Sequence, residues 1–265
     1  MSAFLLMLGA CKDAEESAPT ESVTSDSYTI PSIGYTFRKA YPHDINSFTQ
    51  GLLVHNGRLF ESTGSPSDMP QTRSVFGIVD LNTGKIQVKG EIDRHFFGEG
   101  ITILGGRLYQ LTYQAKIGFI YDTLGYKKIG EFMMPGQEGW GMTTDGQSLI
   151  ISDGTHRLFY LDPATMKTTK VLEVRDNMGQ VNYLNELEFM DGHVYANKYG
   201  TNLKVKIDTA DGRVRGRIDF TRLAQQARQE YAGSLEMNGI AQDPETGRVF
   251  ITGKMWPFIF EVTIP

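Results

Sequence analysis

The chain reads as an all-β protein, a five-bladed β-propeller with four-stranded blades whose ring is closed by an N-terminal strand. Glycine is abundant, 29 of 265 residues, above the usual ~7%. Five glycine-bearing turns, each between two short apolar runs, recur at spacings of 49, 40, 46 and 55 residues. A second turn follows within most units, so each unit holds two hairpins and four strands. A four-stranded unit with a period of about 40 to 50 residues is the signature of one propeller blade.

From the N-terminus, the apolar run Ala3 to Leu8 leads into Leu8-Gly9-Ala10-Cys11. This resembles the lipobox of a bacterial lipoprotein, in which the cysteine becomes the acylated first residue. Residues 1–11 are therefore expected to be a lipoprotein-like signal segment with Cys11 as the lipidation site. Residues 12–30 are rich in Ser, Thr, Glu and Asp, the composition of a flexible polar tether. The expected location is the bacterial cell envelope, facing the periplasm, with the membrane touched only through the anchor. Residues 31–265 are expected to form a single propeller domain.

The five first turns are His55-Asn56-Gly57-Arg58, Leu104-Gly105-Gly106-Arg107, Thr144-Asp145-Gly146-Gln147, Met190-Asp191-Gly192-His193 and Glu245-Thr246-Gly247-Arg248. Glycine supplies the positive φ that two-residue hairpin turns require. The second turns are Asn82-Thr83-Gly84, Thr123-Leu124-Gly125, Asp162-Pro163-Ala164 and Asp211-Gly212. The fifth unit stops at Phe260 to Ile264, one strand short, and the alternating stretch Tyr35 to Ala40 is expected to supply that strand.

Composition excludes several functions. A net charge of −5 offers no electrostatic footprint for nucleic acid. No uninterrupted apolar run of about 18 residues is present. A single cysteine rules out an intrachain disulfide, and the five histidines lack HxH or HExxH spacing, so no zinc site is expected.

Blade geometry locates a site without a motif. Counting seven residues back from each turn glycine reaches Gln50, Glu99, Gly139 with Trp140 beside it, and Asn185; a longer arm in the fifth unit offers Asn238. Counting seven forward reaches Gly64, Tyr113, Asp153, Tyr199 and Lys254. These positions should converge on one end of the axial channel, where propellers usually carry their function.

Eight strings at these positions, in order, are Phe48-Thr49-Gln50-Gly51, Glu61-Ser62-Thr63-Gly64, Phe97-Gly98-Glu99-Gly100, Glu138-Gly139-Trp140-Gly141, Ser152-Asp153-Gly154-Thr155, Leu184-Asn185-Glu186-Leu187-Glu188, Asn238-Gly239-Ile240-Ala241 and Thr252-Gly253-Lys254-Met255-Trp256-Pro257. Together they resemble the plant and bacterial type (type I) of glutaminyl-peptide cyclotransferase. That resemblance implies a five-bladed propeller, in agreement with the repeat count. It also implies an acyltransferase that turns the N-terminal glutamine of peptides or proteins into pyroglutamate and releases ammonia.

Such a reaction needs a proton shuttle, and Glu99 is the residue suited to it; the resemblance assigns the catalytic carboxylate to the same position. Lys254 and Asn185 are expected to donate to the amide oxygen as charge develops on it. Gln50 and Asn238 are expected to hold the substrate amine or backbone, and Phe48, Phe97, Tyr113, Trp140 and Tyr199 to form the walls. Where plant members tend to have Trp, this chain has Tyr113 and Tyr199, which adds two hydroxyls. No cofactor is expected for catalysis, although the resemblance leaves room for a structural calcium ion near the axis. Two other readings fit the same residues. One is a calcium-dependent propeller lactonase or hydrolase using Glu99, Asn185, Asn238 and Asp153 as ligands. The other is a non-enzymatic interaction propeller.

Overall fold

The computed structural model describes residue 1 and residues 29–265. Cys11 and nearly all of the expected tether lie outside the described residues. The first strand, β1 (Thr36–Pro42), precedes four complete blades. Blade one is β2 (Phe48–His55), β3 (Arg58–Gly64), β4 (Val75–Asp80) and β5 (Lys85–Glu91). Blade two is β6 (Gly98–Leu104), β7 (Arg107–Thr112), β8 (Ile117–Asp122) and β9 (Lys128–Met133). Blade three is β10 (Met142–Thr144), β11 (Leu149–Ser152), β12 (Arg157–Leu161) and β13 (Thr168–Glu173). A two-stranded hairpin, β14 (Arg175–Asp176) and β15 (Gly179–Gln180), leads to blade four: β16 (Leu184–Met190), β17 (His193–Lys198), β18 (Leu203–Asp208) and β19 (Val214–Asp219). Helix α1 (Thr221–Glu230) then leads to β20 (Met237–Gln242), β21 (Val249–Gly253) and β22 (Phe258–Thr263).

The fifth blade is completed by β1, which pairs antiparallel with β22 from Thr36↔Thr263 to Pro42↔Phe258. Closure by the N-terminal strand is thus observed, with the strand at Thr36–Pro42 where the alternation suggested Tyr35 to Ala40. Just before β1 the chain runs along the outer edge of blade four, where Ile33 N donates to Arg217 O at 2.7 Å and Arg217 N to Pro31 O at 3.0 Å. The N-terminal segment therefore straps blades four and five together.

All five turn glycines adopt the left-handed backbone their position demands, with φ of 67°, 73°, 87°, 76° and 71° at Gly57, Gly106, Gly146, Gly192 and Gly247. Several second turns instead rely on an aspartate cap, as where Asp162 Oδ1 accepts Ala164 N at 2.8 Å and Thr165 N at 2.9 Å.

Apolar side chains from neighbouring blades meet in five clusters, so the core is a ring of interfaces. Between blades one and two, Phe60 and Phe76 pack with Ile101, Leu108 and Phe119. Between blades five and one, Phe250 and Ile259 pack with Leu52 and Leu59, which closes the circle through burial as well as pairing. Each fully buried Leu or Phe contributes about 1.5–3 kcal/mol. Helix α1 was not foreseen. Its Leu223, Ala224 and Ala227 are buried in the cluster between blades four and five, and it accounts for the long 55-residue interval before the last turn.

Candidate active site

In four blades the innermost strand is irregular at the same place. The pairing register slips between Thr49 and Gly51, Gly98 and Ile101, Leu184 and Leu187, and Met237 and Ile240. A bulge re-aims the side chain it carries, and these four carry Gln50, Glu99, Asn185 and Asn238. In blade three, regular pairing starts only at Met142, and Trp140 lies in the segment before it. The seven-residue count from turn to site is therefore the length of the inner strand from hairpin to bulge.

In four blades the residue after the site residue is a glycine pressed against the next blade; a Cβ on Gly239 of blade five would lie 2.9 Å from Leu52 of blade one. A Cβ on Gly51, Gly100 or Gly141 would lie 2.8 Å from Ile101 N, 2.5 Å from Met142 N and 2.2 Å from Asn185 O, respectively. Blade four has Glu186 at that position. Its carboxylate reaches across the channel and accepts Leu52 N of blade one at 3.2 Å and Ile240 N of blade five at 2.7 Å.

The bulged residues enclose a cavity of about 260 Å³ lined by Phe48, Gln50, Phe97, Glu99, Tyr113, Trp140, Asn185, Tyr199, Lys254 and Pro66. Every expected site residue except Asn238 lines it, and Pro66 was not anticipated. Asn238 stands behind Gln50: its Nδ2 donates to Gln50 Oε1 at 3.1 Å and to Thr49 O at 3.2 Å. Its bulge lets it orient Gln50, where direct contact with substrate was expected. Gln50 Nε2 in turn donates to Glu99 Oε1 at 2.8 Å. Asp153 and Gly64 also depart from the convergence read from the repeats. Asp153 is turned into its own loop, accepting Gln137 N at 3.2 Å and Thr155 N at 3.1 Å. A side chain at Gly64 would overlap the Phe97 ring, 2.2 Å from its edge carbons. A larger hollow of about 710 Å³ lies between residues 32–37 and α1, apart from these residues.

Glu99 and Lys254 are both taken out of water, 4% and 5% exposed. Burial pushes the Glu99 carboxyl well above its ordinary value, against the pull of the Lys254 ammonium and the Gln50 amide, while Glu138 adds to the rise. Burial lowers Lys254, opposed by Glu99 and Glu236. The Lys254 Nζ stands 4.8 Å from the Phe48 ring centre and 4.9 Å from that of Tyr199, so two aromatic faces hold the cation in place. Its backbone is fixed by Lys254 N to Glu236 O and Leu235 N to Lys254 O, both 2.9 Å. The walls interlock edge to face, Phe48 with Phe97 at 5.9 Å and Trp140 with Tyr199 at 5.5 Å between ring centres. Among the described residues Asn185, 4% exposed, has a side-chain oxygen with no hydrogen-bond partner, as has Asn238 behind Gln50, but only that of Asn185 belongs to a residue lining the cavity. Buried polar atoms are almost always paired, so an unpaired one on a cavity wall indicates where a ligand would bind.

Further along the axis lies a second charged group. Lys204, fully buried, donates to Asn197 Oδ1, and Asn197 Nδ2 donates to Met237 O at 3.0 Å. Glu186 and Glu188 are its counter-charges. Among the described residues no group of three His, Cys, Asp or Glu side chains could hold a metal ion.

The sequence profile of the family described as glutamine cyclotransferase matches residues 5–264. The chain belongs to the glutamine cyclotransferase family. It is 40% identical over 226 residues to a glutaminyl-peptide cyclotransferase of Arabidopsis thaliana, covering 84% of this chain and 69% of that one. The crystal structure of Myxococcus xanthus glutaminyl cyclase superposes with a TM-score of 0.78 at 32% identity, over 89% of this chain and 98% of that one. Two neighbours of the cavity were missed in the sequence although both fall inside the quoted strings. Glu138 lies two residues before Trp140. Glu186 was detectable as the residue that replaces glycine in the inner-strand pattern of the other blades.

Proposed function

We propose that Glu99, Lys254 and Asn185 carry out the family's reaction in the cavity at the end of the channel. The chain has glutaminyl-peptide cyclotransferase activity, an acyl transfer within one substrate. The α-nitrogen of an N-terminal glutamine attacks its own Cδ, a C–N bond closes the five-membered lactam, and the bond to the amide nitrogen breaks to give ammonia. One proton must travel from the attacking nitrogen to the leaving one. Glu99 accepts it as carboxylate and returns it as acid, and its raised pKa brings it nearer the pKa of the amine it serves. Gln50, steadied by Asn238, holds the carboxylate in one orientation.

The Lys254 ammonium supports the carboxamide oxygen as it becomes an oxyanion, at low reorganisation cost because the cation is buried and already fixed. Asn185 has both donors and an acceptor: its Nδ2 donates to the same oxygen, and its unpaired oxygen accepts an N–H of the substrate. The aromatic walls hold the side chain folded back on the amine, where effective concentration is gained. The observation that supports this assignment most strongly is the convergence of a buried carboxylate, a buried ammonium and an unpaired amide on one peptide-sized cavity. The test is stoichiometric release of ammonia and lactam from a Gln-Ala peptide. Peptide consumption without ammonia would overturn the assignment.

The string ending in Cys11 supports a lipid anchor that holds the propeller at a bacterial envelope membrane. Cys11→Ser should then move the protein from the membrane to the soluble fraction, and an unchanged distribution would remove the anchor.

A further inference from the structure

We infer that the mouth of the cavity selects peptides by the charge of the residue following glutamine, favouring lysine or arginine and disfavouring aspartate or glutamate. This rests on the cyclotransferase reading of the cavity. A space of about 260 Å³ accommodates one glutaminyl residue whose amine and carboxamide must both reach Glu99, Lys254 and Asn185. The next residue is then held at the rim.

Two carboxylates flank that rim from different blades. Glu138, at the approach to blade three, is held in a defined position, accepting Trp140 Nε1 at 2.9 Å and Gln114 Nε2 at 3.4 Å. Its charge also acts on the Tyr113 hydroxyl, which hydrogen-bonds to it. Glu236, at the start of the inner strand of blade five, is half-buried, and its peptide oxygen receives Lys254 N at 2.9 Å. Its charge reaches both Lys254 and Tyr199. Among the described residues neither carboxylate sits in a direct ion pair with arginine or lysine. Among the described residues that line the cavity Lys254 is the one cation, and it faces Glu99 inside, so the two outer carboxylates leave the rim negative. Tyr113 and Tyr199 place their hydroxyls beside these carboxylates, and a Lys or Arg side chain could donate to both kinds of oxygen. A negative rim also attracts the ammonium with which a peptide arrives.

The experiment compares kcat/KM for amidated Gln-Lys, Gln-Ala and Gln-Glu peptides of equal length. Wild type should prefer Gln-Lys to Gln-Glu by about tenfold, the size expected of two partly solvated charges acting at a few ångströms. The ratio should fall toward one in Glu138→Gln/Glu236→Gln, in which each side chain loses its charge and keeps one acceptor oxygen, so that Glu138→Gln can still accept from Trp140 Nε1. Because the ratio is taken within one enzyme, any general loss of activity cancels. For wild type alone, the preference should shrink as ionic strength rises from about 0.01 M to about 1 M, where the screening length falls to about 3 Å. A wild-type ratio within twofold, or one insensitive to both salt and the double substitution, overturns charge selection while Gln-Ala is still cyclised. Failure to cyclise Gln-Ala overturns the underlying reading and the inference with it.

Discussion

Glu99 with Lys254 and Glu186 with Lys204 are both carboxylate–ammonium groups withdrawn from water in the same channel, but they differ in what their surroundings leave unpaired. Glu186 receives two backbone N–H groups from different blades, and Lys204 is tied to Asn197, which is itself bonded to Met237 O. Around Glu99 the ties are fewer. One Gln50 amide reaches it, Lys254 rests against aromatic faces, and Asn185 keeps an oxygen free. A saturated polar network fixes a structure, because breaking it exposes a buried charge. An unsaturated one retains the capacity to bind something else. Burial and a perturbed pKa are common to both groups; open hydrogen-bonding capacity facing a cavity is what sets the Glu99 group apart.

The comparison breaks first at Glu99. Glu99→Gln should lower kcat by about 10² to 10⁴-fold with thermal unfolding unchanged or slightly raised, since a neutral amide removes the burial penalty. Cyclisation within tenfold of wild type would end the proton-shuttle role. Lys254→Met should lower kcat and kcat/KM together by about 10² to 10³-fold. A rise in KM alone would make Lys254 a binding residue. Because the ammonium pulls the Glu99 pKa down, this variant should also shift the acid limb of the pH–rate profile to higher pH.

The saturated group should respond in stability and not in chemistry. Glu186→Gln leaves one of two buried backbone N–H groups facing a donor, at a cost of about 1–3 kcal/mol. The melting temperature should drop while kcat of the folded enzyme stays within a few-fold of wild type. A large fall in kcat without destabilisation would erase the distinction between the two groups.

The smallest effect concerns pH. Burial raises Glu188 from its ordinary 4.5 to about 8 and lowers Lys204 from 10.5 to about 7. The folded state therefore holds the Glu188 proton where the unfolded chain has released it. That contribution is complete below about pH 4.5 and is lost as pH rises to about 8. Lys204 acts in the opposite sense, with its contribution complete above 10.5 and lost as pH falls to about 7. Melting temperature should consequently decline from pH 5 to pH 7, and Glu188→Gln should make that decline shallower. An equal slope in both proteins would mean that Glu188 titrates normally.

Most of the blade plan was legible because hairpin turns demand a backbone that few residues other than glycine adopt, and all five turn glycines adopt it. The cavity face was legible for a related reason: a constant inner-strand length places the bulge at a constant distance from the turn. That rule failed for Asp153, which caps its own loop, and for Asn238, whose longer arm sets it one layer back. The axial group was not legible. Lys204 lies in Leu203-Lys204-Val205-Lys206, an alternation that normally marks a solvated face, and only the ring turns that face inward. Helix α1 was missed because ten residues with three buried apolar positions carry little periodic signal between strands read at period two.

The pairing of β1 with β22 also bears on how the protein is made. β1 acquires its partner only once β22, more than two hundred residues later, has been synthesised, since Thr36 is matched to Thr263. Four blades can assemble in order during translation, whereas the seal waits for β22, and the loop it closes spans all four of those blades. A chain lacking β22 would therefore be an open arc with two unpaired sheet edges, a form prone to joining with its own kind.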